Sequence, residues 1–192
     1  EPILLIHVLT QLGLTQNYIQ DQYAILSGYV VSLLVTPTFF CTIIYRLYLP
    51  IATDDLYYHK STAFLHLLYA LLICLLIGLP FTLIFYFFPK QSLMVLYNTT
   101  SGYQQLKYMA FPFLLFYLQT PLSTILQAKN KNKVMFIISI IECTLEIILT
   151  YTLSHYLYVN AILISLFTGL ITTLTLSAIY CFKIIIKDTS LS

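Results

Sequence analysis

NKVMFIISIIECTLEIILTYTLSHY, residues 132–156, is apolar enough to cross a lipid bilayer as one helix, yet it carries two acids. A spanning helix needs about 20 predominantly apolar residues. Glu142 and Glu146 are four residues apart, so both project from one face of that helix. Ionisable side chains at such depth are costly, and they mark substrate or ion paths when they occur. The stretch therefore announces a membrane helix and, inside it, a site that needs a cavity or a partner.

The rest of the chain has the same character. Of its 192 residues 59% are hydrophobic and 8% are charged, and the mean hydropathy is +0.87. A soluble domain carries about 25% charged residues, so a soluble enzyme fold is excluded. A net charge of +2 gives no electrostatic basis for nucleic-acid binding. The expected fold is all-α, a polytopic transmembrane helix bundle. Five full spans are expected at about 23–49, 62–88, 103–127, 134–154 and 158–182. The apolar stretch 3–14 is too short to span and reads as the end of a partial N-terminal helix. The apolar runs are continuous rather than alternating, which argues against a barrel. Short polar segments connect them, no linker divides the chain, and residues 1–192 are expected to form a single bundle. The chain opens on Glu1, with no basic region followed by a short apolar core and a cleavage site. It is expected to be a fragment.

Lys and Arg set the orientation. Arg46, Lys60, Lys129, Lys131, Lys133, Lys183 and Lys187 fall at one set of helix ends, against Lys90 and Lys107 at the other. The Lys129–Lys133 loop and the C-terminus are therefore expected in the cytoplasm, with the protein multi-pass in the plasma membrane. The segments around Asp21, Asn98 and His155 then face outward. Tyr45, Tyr48, Tyr57 and Tyr58 gather at an inner boundary, where amphipathic rings settle. Pro37, Pro80, Pro112 and Pro121 fall inside spans and should bend them. Bent helices around a cavity suit transporters, and they also occur in receptors and channels.

The candidate path residues are Glu142, Glu146, Arg46, Gln119 and Gln127. The two glutamates have three readings: a site for a coupling cation or proton, a contact to a cationic group on cargo, or structural pairing with basic or hydroxyl side chains. Two charged acids this close repel, which suits a proton-linked step. Arg46 either snorkels to the headgroups or forks onto a lipid diphosphate. Gln119 and Gln127 need amide partners in lipid, from a neighbouring helix or from a sugar. Lys129, Lys131 and Lys133 read as topology signals and contacts to anionic lipids. Cys41, Cys74, Cys143 and Cys181 form no CxxC pair and read as small packing residues. His7, His59, His66 and His155 have no metal-ligand spacing. No metal site, cofactor or catalytic constellation is expected, and the chain is not expected to be an enzyme.

Several elements, in order, bear a likeness to a family. They are Leu12-Gly13-Leu14, Tyr23 with Ser27-Gly28, Pro37, and Leu49-Pro50-Ile51-Ala52, followed by YLQTPLSTILQAKNKNK at 117–133. This pattern resembles the stage V sporulation protein B group of polysaccharide-export flippases, in the multidrug/oligosaccharidyl-lipid/polysaccharide superfamily. The resemblance implies that the chain is the C-terminal half of a larger two-bundle transporter of roughly 12–14 helices. It implies alternating access, with a lipid-linked oligosaccharide or a polysaccharide or peptidoglycan precursor as cargo. It also implies that the N-terminal half of the same transporter and the membrane lipids are partners. The sequence departs from the group twice. Its relatives usually have Gly near Lys129 or Asn130, and many carry a basic residue near the position of Glu146. The acids leave a cation-coupled multidrug exporter of the same superfamily as an alternative. A membrane scaffold without transport is another.

Overall fold

The computed structural model describes residues 6, 8–10, 13–58 and 62–189, the side chains of 187–189 excepted. Among the described residues there is no strand. The elements are α1 (Gln16–Ala24), a π-helical segment (Ile25–Val31), α2 (Ser32–Val35), α3 (Thr38–Tyr57), α4 (Ala63–Phe87), α5 (Pro89–Tyr97), α6 (Tyr103–Ala128), α7 (Asn132–Leu157), a single 3₁₀ turn (Tyr158–Asn160) and α8 (Ala161–Thr189). The all-α expectation holds.

The five-span count does not follow from length and apolarity alone. Three stretches qualify: Ala63–Phe87, Tyr103–Ala128 and Asn132–Ile186. A fourth qualifies if Gln16–Val35 and Thr38–Tyr57 are taken together. The third stretch contains both α7 and α8, which only the short turn at Tyr158 divides. The expected break at Pro37 is present, because proline has no N–H to continue the helical ladder. Pro80, Pro112 and Pro121 instead lie inside unbroken helices. Pro50, read as a span end, sits inside α3, which runs on to Tyr57. Of the partial helix over 3–14, residues 6 and 8–10 are helical, and the masked positions among 3–14 lie outside the described residues.

Two terminators are legible in physical terms. Gly13 has φ +86, its N–H bonds to the carbonyl of Thr10, and the N–H of Leu14 reaches Leu9. Asn130 repeats this geometry after α6, with φ +53, its own N–H on Gln127 and the N–H of Lys131 on Leu126. Both are helix stops in which a left-handed residue turns two N–H groups back onto orphan carbonyls. Asn enters that conformation more readily than most residues. The resemblance leads one to expect Gly near Lys129 or Asn130, and with Asn130 the turn forms without it.

The chain divides into two compact units. One comprises Glu1–Thr36, Thr82–Phe113 and Glu142–Leu170, the other Pro37–Phe81, Leu114–Ile141 and Ile171–Ser192. In the first, buried Thr150 on α7 donates to Ser165 on α8 across 2.8 Å, and Gly102 lies against Ile25 and Val30. Tyr29 packs on Tyr97, and Tyr86 on Phe111. In the second, a core of Ala52, Leu56, Leu67, Leu122, Ile125, Leu126 and Ile138 draws on α3, α4, α6 and α7. Tyr48 belongs to this core and is 5% exposed, with no hydrogen-bond partner for its hydroxyl among the described residues. Of the tyrosines expected at the inner boundary, Tyr48 packs inward, whereas Tyr57 and Tyr58 are exposed. The thiols of Cys41 and Cys74 hydrogen-bond each other, and the Cys181 thiol donates to the carbonyl of Leu122 at 3.1 Å. Three of the four cysteines are buried, and Cys143 is exposed.

Candidate functional site

Glu142 and Glu146 occupy successive turns of α7, both half-buried and both in the first unit. α7 forms because 134–154 is an apolar run without proline, starting just after the left-handed stop at Asn130. Inside the run, Glu146 points at α8. A Cβ built on buried Gly169 would lie 2.5 Å from its Oε1, 3.0 Å from Cγ and 3.1 Å from Cδ. The carboxylate therefore lies over backbone that only a glycine leaves open. One turn further along, the Thr150–Ser165 hydrogen bond ties the same two helices. With the Glu146 carboxylate over Gly169 and the Thr150–Ser165 bond, α7 and α8 meet across a polar seam within an apolar pair. Such a seam can hold a cation or a proton, or present an acceptor to a cationic group.

The other predicted path residues fall in the second unit. Arg46 is exposed on α3, and Gln119 and Gln127 are half-buried on α6. The structure brings the two glutamates together on one helix face. It places Arg46, Gln119 and Gln127 in the unit that does not contain them.

Sequence reasoning missed a second polar cluster. Asp55 is 3% exposed near the end of α3. Its Oδ1 accepts from the hydroxyl of Thr62 at 2.9 Å, and its Oδ2 lies 2.7 Å from Nδ1 of His66 on α4. Beside it, Lys129 donates to the carbonyl of Leu56 at 3.3 Å and sits 4.5 Å above the Tyr57 ring. Burying a carboxylate demands such partners. The available signal was an acid and a histidine eleven residues apart across a short connection. The spans expected at 23–49 and 62–88 put Asp55 in the connection between them, whereas α3 runs on to Tyr57. No group of three or more metal-ligating side chains occurs among the described residues.

No family model matches the chain, and no solved structure matches it. Over 131 residues it is 30% identical to Stage V sporulation protein B of Bacillus subtilis (strain 168). That likeness is distant. It covers 68% of this chain and 25% of the relative, so the chain spans about a quarter of that protein's length. Together with the apolar helices, it makes this a membrane protein with a link to the sporulation protein at the level of family resemblance.

Proposed function

We propose that the chain is part of a membrane transporter, a flippase that moves a lipid-linked oligosaccharide or a polysaccharide or peptidoglycan precursor by alternating access. The likeness to the sporulation protein over 131 residues carries this reading. The polar seam at Glu146 supports it, because acids inside an apolar span are costly and mark substrate or ion paths when they occur. The headgroup would pass through a polar cavity completed by the N-terminal half of the same transporter, while the lipid tail stays in the bilayer. The protein would be multi-pass in the plasma membrane, with the Lys129–Lys133 loop and the C-terminus cytoplasmic. It would use no cofactor and carry out no covalent chemistry.

Depleting the protein in its native host should accumulate polyprenyl-linked sugars on the cytoplasmic side, and restoring it should clear them. Unchanged levels of these intermediates would overturn the cargo assignment. A second reading, cation-coupled drug export, is favoured by the two acids on α7. It predicts that depletion raises retention of a cationic dye and leaves the lipid-linked sugars unaltered. A scaffold without transport predicts that replacing both glutamates by glutamine changes stability or partner binding alone.

A further inference from the structure

A second polar feature of the first unit lies away from the carboxylates, at the start of α6 and the junction of α7 and α8. Two adjoining recesses of about 320 and 420 Å³ share Gln105, Leu157 and Asn160 as walls. Tyr108 completes the first, and Tyr18, Gln22 and Tyr158 line the second. No charged side chain lines either recess among the described residues. Tyr18, Tyr108 and Tyr158 are each at least half exposed, so their ring faces are open to a ligand.

Tyr158 adds an independent observation. It lies in the left-handed region at φ +52, in the turn between α7 and α8. Among the described residues, the two other non-glycine residues in that region are asparagines, at positions 98 and 130. A bulky aromatic residue seldom adopts this conformation, and such strain collects at ligand sites. A turn that needed only the backbone angle would be better served by Gly or Asn. The strained Tyr is explained if its ring has a use in the cleft.

The lining defines a chemical class. Each side-chain amide offers a donor and an acceptor, and so can bond two neighbouring hydroxyls. The aromatic faces offer flat apolar area to the C–H face of a ring. Nothing in the walls would neutralise a phosphate, carboxylate or ammonium, which would enter at a desolvation cost. Small-molecule sites are concave, with a few placed polar groups among apolar walls, and both recesses have that character. We infer that this cleft is a binding site for an uncharged, hydroxyl-rich ring, a hexose or N-acetylhexosamine, separate from the glutamate seam. The assignment rests on the cleft's own lining, so it stands or falls independently of the transport reading.

The test uses the purified full-length protein in phosphatidylcholine nanodiscs, with N-acetylglucosamine as probe and saturation-transfer NMR as readout. Transfer to the sugar ring protons is expected, and excess glycerol, which has hydroxyls but no ring face, should not displace it. Adding phosphatidylglycerol to the nanodiscs should leave the signal unchanged; loss of signal would assign the cleft to a lipid headgroup instead. Gln105→Ala and Asn160→Ala should each weaken binding by about fivefold or more, the loss of one hydrogen bond. Tyr158→Asn relieves the backbone strain, so it should fold at least as well as the wild type while losing affinity. Should Gln105→Ala fail to fold, Asn160→Ala and Tyr158→Asn carry the test. No transfer to the sugar, or equal affinity in folded variants, would overturn the proposal.

Discussion

Gly169 shows how one atom decides where a charge rests. Its missing side chain leaves the space that Glu146 occupies, because an added methyl would meet Oε1 at 2.5 Å. The obstructing atom is the end of a flexible side chain, so the fold can yield while the carboxylate cannot stay. Gly169→Ala is expected to change the unfolding temperature little and to reduce transport as Glu146→Gln does. Equal transport by Gly169→Ala and wild type would show that Glu146 does not act from this position. Asp55 behaves differently, since its partners hold it from two directions. Asp55→Ala removes the carboxylate that Thr62 and His66 share. It should cost about 1–2 kcal/mol, the net loss of the carboxylate's hydrogen bonds, since Thr62 and His66 are themselves only half-buried. Thermal unfolding of the purified protein measures it, and an unchanged midpoint would remove the cluster from any structural role.

At the level of elements, the helix ends follow from local backbone chemistry. Asn130 ends α6 by turning left-handed, with two N–H groups folded back on the helix. Asn130→Ala should destabilise by about 1 kcal/mol, because a Cβ-bearing residue without a helpful side chain is strained there. Asn130→Gly should be neutral or mildly stabilising, and the pair of unfolding midpoints checks the order. Much at this scale was legible in the sequence. The break at Pro37 and the positions of α4, α6, α7 and α8 follow from uninterrupted apolar runs. The carboxylate pair was visible because an acid inside such a run is rare and costly. Other features were hidden for a physical reason: they depend on tertiary partners. The span expected at 23–49 stops short of Pro50, but α3 continues past it to Tyr57. That Tyr48 belongs to the buried cluster with Ala52 and Leu56 shows only in the fold, because its residue type speaks for a boundary rather than a core. The placement of Glu146 over Gly169 is likewise invisible without the fold, since 23 positions of chain separate them.

For the whole molecule, the apolar helices and the distant likeness make this a membrane protein, and transport is the function proposed for it. The expected orientation is open to direct reading. A single cysteine introduced at Lys131 should react with a membrane-impermeant maleimide only after the cells are opened, and one at Asn98 should react in intact cells. The exposed native Cys143 is replaced by Ser first, so that it does not contribute. The reverse pattern would invert the assignment of the basic loops to the cytoplasm. Cargo is the larger question, and movement of lipid-linked sugar answers it most directly. The full-length protein is placed in liposomes with a fluorescent polyprenyl-diphosphate oligosaccharide, and the fraction reached by an added impermeant quencher is followed. The account predicts that the protein carries the label across the bilayer and that Glu146→Gln slows this. Translocation no faster than in protein-free liposomes would contradict it.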